Sequence, residues 1–327
     1  MLTKMNYTWK GLLVILISFA FASCTDTEES SSPMLESNLK SIPEVLKTME
    51  KNSDSGDLNA RKNGGNTYAT FNAALGKSGL ASVFAKNELT VFAPNDAAFA
   101  ELGLNPGNIG DLEGLTDILL YHVVAGSVYS SELVEGFVPT INGIAVKISL
   151  ADGPMVNDSN IILTDKMARN GVIHGIDAVL FPPMENVMEL LDNTVSTTGD
   201  FTTLQAAIDA VPDLRETLIG LDGITIFAPN DEAFNKVGLN AGTVGFFDTD
   251  RLANILQYHV FGGGVVFSSD LMDGDITMLQ GGTLTVDTSG PSLIDENNRD
   301  SDIILTDLQA SNGIIHGISD VILPLNY

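Results

Sequence analysis

Basic residues are scarce in this sequence. Of 327 residues, 16 are Lys or Arg against 42 Asp or Glu, for a formal net charge of −26. Nucleic-acid affinity comes from Lys and Arg neutralising phosphates, so the balance excludes a nucleic-acid partner. It equally excludes adsorption to anionic headgroups through a basic patch, and the carboxylates read as an acidic, soluble surface. Cysteine is almost missing: Cys24 is the only one, so no internal disulfide can form. The one long apolar run, 11–22, falls short of the ~20 residues that cross a bilayer. A Gly-x-Ser-x-Gly elbow, a Walker-type loop and a His-Glu-x-x-His helix are all lacking. Catalytic residues, metal and cofactor are accordingly expected to be none. What is present, 44% hydrophobic and 18% charged residues, suffices for packed cores. The length fits two domains of the usual ~100–200 residues.

The compartment is written at the N-terminus. Lys4 and Lys10 precede the apolar run, and the small residues Ala22 and Ser23 lead straight to Cys24, which is the order of a secretory signal. Phe21-Ala22-Ser23-Cys24 resembles the lipobox of bacterial lipoproteins, with Phe21 where Leu is usual. The resemblance implies a signal peptide over 1–23 and a lipid anchor on Cys24. Residues 24–37 read as an acidic, Ser-rich tether with nothing to pack. The acidic stretch also resembles the surface-export signal of lipoproteins from Bacteroidetes-type bacteria. An outer-membrane lipoprotein facing outward is expected, and a periplasmic face stays open.

The rest of the chain repeats itself. Thr90-Val91-Phe92-Ala93-Pro94-Asn95-Asp96 returns as Thr225-Ile226-Phe227-Ala228-Pro229-Asn230-Asp231. Tyr121-His122-Val123 returns as Tyr258-His259-Val260, and Asn170-Gly171-Val172-Ile173-His174 as Asn312-Gly313-Ile314-Ile315-His316. Units this long are whole domains, longer than solenoid repeats. Apolar spacing predicts a helical stretch over 68–80 and 202–219, then a buried strand at 89–92 and 224–227 ended by proline. A second helix runs into Tyr-His. Strands follow at 144–149, 161–164 and 172–180, and at 283–287, 303–306 and 314–323, with a turn at each Asn-Gly. The mixture predicts an α+β class.

In order and in both copies, these three blocks resemble the hallmarks of the fasciclin domain family, as do the endings Phe181-Pro182 and Leu323-Pro324. The resemblance implies two tandem domains, over 38–183 and 184–327, each a β-sheet wedge packed with helices. It implies a non-enzymatic role in cell adhesion, with a cell-surface or matrix protein or a polysaccharide as partner. The alternative is a periplasm-facing structural or envelope-assembly lipoprotein that binds another protein. Adhesion in the family is placed near the Tyr-His block and near an Asp-Ile-Met-type stretch. By position these are Tyr121, His122, Tyr258 and His259, and Asp165-Lys166-Met167 and Asp307-Leu308-Gln309. Lys166 and Gln309 depart from the pattern, which argues against attachment through an animal integrin.

Each candidate residue also has a plain reading. The four histidines, His122, His174, His259 and His316, lie among Ile, Val and Leu without metal-ligand spacing, and read as hydrogen-bonded core residues. In the Tyr-His pairs, neighbours in sequence do not share a helix face, so at least one member is expected to turn inward. Pro94, Asn95 and Asp96, like Pro229, Asn230 and Asp231, read as a strand end followed by a helix cap. The acidic stretch 295–302 reads as a solvated loop inserted into the second copy. The oligomeric state is not encoded in any of these features.

Overall fold

The structure, a computed structural model, describes residues 39–50 and 66–325. Cys24, the signal peptide read over 1–23 and the tether read over 24–37 lie outside the described residues. In the first copy the elements run α1 (Ile42–Met49), α2 (Ala69–Ser78), α3 (Ala81–Lys86), β1 (Leu89–Pro94), α4 (Asp96–Glu101) and α5 (Leu115–Tyr121). Strands β2 (Val123–Ala125), β3 (Gly136–Pro139), β4 (Ala145–Ser149), β5 (Met155–Val156), β6 (Ser159–Ala168) and β7 (Gly171–Ile176) follow. The second copy repeats the order with α6 (Val187–Thr198), α7 (Thr202–Ala210), α8 (Leu214–Gly220), β8 (Ile224–Pro229), α9 (Asp231–Lys236) and α10 (Thr249–Tyr258). Its strands are β9 (Val260–Phe261), β10 (Gly274–Thr277), β11 (Thr283–Asp287), β12 (Ser292–Ile294), β13 (Asp300–Ala310) and β14 (Gly313–Ile318). The class is α+β, as the mixed pattern predicts.

Each copy builds a seven-stranded sheet, ordered β2-β1-β7-β6-β5-β4-β3 and β10-β11-β12-β13-β14-β8-β9. The pairs β1/β7 and β8/β14 are parallel, and the other pairs antiparallel. All six residues of each of these four strands are buried, as expected where both sheet faces are covered. Alternation then divides their side chains between two cores. Val91, Ala93 and Ile173 join Phe71, Leu75, Phe84 and Leu119 under the helices. Phe92 and Ile176 join Tyr121, Val146, Ile148 and Val156 on the other face. In the first copy the sheet curls until its ends meet: Val124 bridges Thr140, and the Ile141 amide donates to the Val123 carbonyl at 2.8 Å. Leu279 repeats that bond to Val260 at 2.7 Å. The copies touch through Phe137 and Phe267, whose rings stack with centroids 4.1 Å apart, beside buried Ala145 and Ile314.

Several elements differ from the sequence reading. Each copy opens one helix earlier than expected, with α1 and α6, which pack on the helices and strands of their own copy. The available signals were capping boxes: Ser41 with Glu44 and Asn186 with Glu189. The stretch 202–219 breaks into α7 and α8 at Pro212 and at Asp213, whose φ is +61°. The strands expected over 172–180 and 314–323 stop at Ile176 and Ile318, because the next residues leave the sheet to meet a histidine described below. Nor is 295–302 a solvated loop. Asp295 is buried and accepts from the amides of Asn297, Arg299 and Leu323. It is paired with the Arg299 guanidinium at 2.5 Å. The stretch is a hairpin turn that fastens the C-terminal segment.

The Asn-Gly pairs do more than turn the chain. Asn170 accepts from the Ile42 amide at the start of α1 and donates to the Phe84 and Asn87 carbonyls at the end of α3. Asn312 does the same for Val187, Leu218 and Leu221. A Cβ on Gly171 would stand 1.9 Å from the Leu89 carbonyl oxygen, and one on Gly313 would stand 2.4 Å from that of Ile224. The Gly171 φ of +143° adds backbone strain for any side chain.

Two substitutions test this architecture in opposite directions. Gly171→Ala should lower the free energy of unfolding by about 3 kcal/mol or more, read as a reduced urea midpoint. The Tyr68 hydroxyl is buried without a hydrogen-bond partner, and burial pushes its pKa up to about 12. The second copy has Phe201 at the matching position, just before α7. Tyr68→Phe should therefore raise stability by about 1 kcal/mol, seen as a higher melting temperature.

Candidate functional site

The helix α5 ends on Tyr121 and is capped by His122. Both are buried, at 2% and 1% exposure, as are Tyr258 and His259 at 0% and 2%. The pair sits where the helix end passes between the two cores, so each neighbour enters a different one. Tyr121 belongs to the sheet-side core with Phe92, while the His122 ring meets Phe71 edge-on at 6.1 Å on the helix side. The Tyr121 hydroxyl donates to the Ala145 carbonyl and accepts from Asn157. Tyr258 donates to Thr283 and accepts from the Glu296 amide.

The hydrogen bonds assign the protons of His122. The Leu180 amide, which can only donate, lies 2.9 Å from Nε2. Nε2 is therefore the acceptor, and Nδ1 donates to the Ile118 carbonyl at 2.7 Å. His259 repeats this with Ile322 at 3.2 Å and Ile255 at 2.8 Å. The imidazoles are thus neutral, and burial drives the pKa of each down to about 4.

The second histidine of each copy holds the opposite tautomer. His174 accepts at Nδ1 from the Asp165 amide and donates from Nε2 to the Val128 carbonyl at 2.9 Å. His316 does so with Asp307 and with Val266 at 2.8 Å, and burial lowers its pKa. Asp165 and Asp307 stand at sheet irregularities with φ of +57° and +63°, a conformation Asp tolerates. The Asp165 carboxylate accepts from the Ser130 amide and hydroxyl, and these bonds hold its pKa below the ordinary range. Asp307 grips Ser268 likewise. Thr90 donates to the Gly126 carbonyl and accepts from the Val128 amide, and Thr225 repeats this with Gly264 and Val266. Thr90, Asp165 and His174, from blocks far apart in sequence, thus clamp one loop, 126–130. Their counterparts clamp 264–268. The residues beside Asp165, Lys166 and Met167, face solvent.

The Pro-Asn-Asp corner serves two helices. Pro94 and Pro229 end their strands. Asn95 accepts from the Ala98 amide and Asn230 from that of Ala233, capping α4 and α9. Asp96 reaches back to the amides of Ala69 and Thr70, and Asp231 to those of Thr202 and Thr203, capping α2 and α7. Burial works to raise both carboxyl pKa values, but these hydrogen bonds outweigh it and hold them below the usual range.

The histidine, tyrosine and aspartate side chains of these blocks all hydrogen-bond within their own copy. The feature that sequence reading missed lies between the copies. A cleft of about 670 Å³ opens beside the Phe137–Phe267 stack, lined from one side by Pro139 and Asn142 and from the other by Asp222 and Asp270. Its walls come from both copies, so no local pattern marks it.

The Fasciclin domain family matches residues 66–182 and 199–324. The chain is similar to the transforming growth factor-beta-induced protein ig-h3 of Sus scrofa, 31% identical over 256 residues, which are 76% of this chain and 35% of that protein. It is similar to a fasciclin-like arabinogalactan protein of Arthroderma benhamiae, 28% identical over 74% of this chain and 60% of the relative. The chain therefore spans about a third of the mammalian relative and less than two thirds of the fungal one. Among solved structures, a FAS1 domain pair from the insect cell adhesion molecule fasciclin I matches with TM-score 0.36 and 18% identity, over 78% of this chain and 95% of that one.

The buried histidines make stability depend on pH. Unfolded histidine takes up a proton near pH ~6.5, whereas His122 and His259 stay neutral to about 4. Between those values the unfolded chain binds more protons, so stability falls with falling pH, by about 3 kcal/mol per histidine. Below that window, Asp96 and Asp231 lose their capping contribution as they protonate. Urea unfolding should show midpoints unchanged above pH 7 and dropping steeply from 6.5 to 4. A flat profile across that range would contradict the buried neutral state.

Proposed function

The chain belongs to the fasciclin domain family, and on that premise we propose that it is a non-enzymatic adhesion protein, held to the outer membrane by a lipid on Cys24. Residues 1–23 serve as its signal peptide and 24–37 as the tether that carries the domains outward. Fasciclin domains are associated with cell adhesion and extracellular-matrix interaction. The partner is a surface or matrix polymer, protein or polysaccharide.

The observation that carries this reading is how the repeated polar residues are used. The four histidines, Asp96, Asp165, Asp231 and Asp307 all spend their hydrogen bonds on their own chain. General acid–base catalysis needs such a group within reach of a substrate proton. A binding module needs only a rigid scaffold and an exposed face. Tyr121, His122, Tyr258 and His259 are buried, so any part they play in attachment runs through the surface they hold in shape.

Cells lacking residues 38–327 should attach less well to a matrix-coated surface, and Cys24→Ser should abolish lipid labelling and release the protein from the membrane fraction. Protease treatment of intact cells should digest the wild-type domains. Unchanged attachment after the deletion would end the adhesion reading, and protection from protease would place the domains on the periplasmic face.

A further inference from the structure

The cleft between the copies has the chemistry of a binding site. Its volume of about 670 Å³ lies within the range of small-ligand and side-chain pockets. No Lys or Arg is among the residues that line it, whereas two carboxylates, Asp222 and Asp270, are. Both are exposed. Asp270 is met by the Ser269 hydroxyl at 3.4 Å, and Asp222 accepts no hydrogen bond among the described residues. On the opposite wall the Asn142 Oδ1 is buried without a donor. The other end of that amide donates to the Asp117 carbonyl at 3.5 Å. The apolar part of the wall is the Phe137–Phe267 stack. Phe137 already draws one cation, the Lys147 ammonium, 5.9 Å from its centroid.

These groups want the same thing. Carboxylates with no counter-ion among the described residues and an acceptor without a donor are both satisfied by a cationic hydrogen-bond donor, and the apolar wall takes an apolar stem. Lys and Arg side chains combine those parts. The net charge of −26 attracts such a ligand at long range and repels an anionic polymer. The chain's own tether carries Asp26, Glu28 and Glu29 and is excluded on the same ground. We propose that this cleft receives a basic segment of a protein partner, with Asp222 and Asp270 taking the ammonium or guanidinium group. The assignment of that partner to a matrix or cell surface rests on the adhesion reading above; the site itself does not.

Fluorescence anisotropy with the full chain and a labelled Gly-Lys-Gly-Arg-Gly-Lys-Gly peptide tests it. Three proteins are compared: wild type, Asp222→Asn with Asp270→Asn, and a charge-matched control outside the cleft, Asp152→Asn with Glu232→Gln. All four positions are exposed, so unchanged melting temperatures should show that each protein folds. The cleft variant should bind about tenfold more weakly or worse, the control within about twofold of wild type, and a Glu-for-Lys/Arg peptide should not bind. Equal losses in both variants would reduce the effect to net charge and overturn the site. So would absent peptide binding, or binding of neutral cellohexaose that is lost in the cleft variant. Attachment of protein-coated beads to a matrix surface is scored in parallel. Attachment without peptide binding sinks the cleft proposal alone, while peptide binding without attachment sinks the adhesion reading alone.

Discussion

Each copy depends on one parallel pairing, β1 with β7 and β8 with β14, between strands that lie far apart in the chain. Loop closure across such a distance is costly in entropy, so the pair must be held by more than its own ladder. It is held by burial on both faces, which commits Val91 and Ile173 to one core and Phe92 and Ile176 to the other. The strands approach so closely at their start that Gly171 and Gly313 leave no room for a side chain. Helices cover one face, and the rest of the sheet curls over the other.

The polar residues of the repeated blocks follow from that geometry. A strand pair buried on both sides leaves the chain ends around it short of water, and every amide and carbonyl there needs an internal partner. His122 joins a helix-end carbonyl to the Leu180 amide, which pulls the chain out of the sheet after β7. His174 and Asp165 fasten the loop after β2, and Asn170 ties the start of α1 to the end of α3. Imidazole suits these posts because one ring offers a donor and an acceptor in fixed directions, provided it stays neutral.

Comparison of the two copies separates what this frame requires from what it tolerates. The Tyr hydroxyl keeps its acceptor carbonyl in both, but its donor is the Asn157 side chain in one and the Glu296 backbone in the other. Tyr68 gives way to Phe201 where the hydroxyl has no partner. Outside the frame the copies diverge freely: Lys166-Met167 against Leu308-Gln309, and the Asp295–Arg299 turn. The Phe137–Phe267 seam pairs β3 of one copy with the clamped loop of the other, so duplication itself creates a cleft that a single domain would lack.

The amino-acid order by itself established the duplication, the α+β class, the strand–Pro–Asn–Asp corner and the inward histidines, because each is a local pattern of apolar period, turn residue or cap, read twice. It missed α1 and α6, whose capping boxes are short and whose apolar faces matter only once a sheet lies beneath them. It also took 295–302 for a solvated loop, since an acidic run looks the same whether it faces water or, as Asp295 does, an arginine and three amides. Only the tertiary structure decided that both members of each Tyr-His pair are buried, that Asp96 caps a helix behind it, and that a cleft opens between the copies. Those facts depend on which distant residues meet, and contact between distant residues is settled by packing, which leaves no periodic trace in the chain.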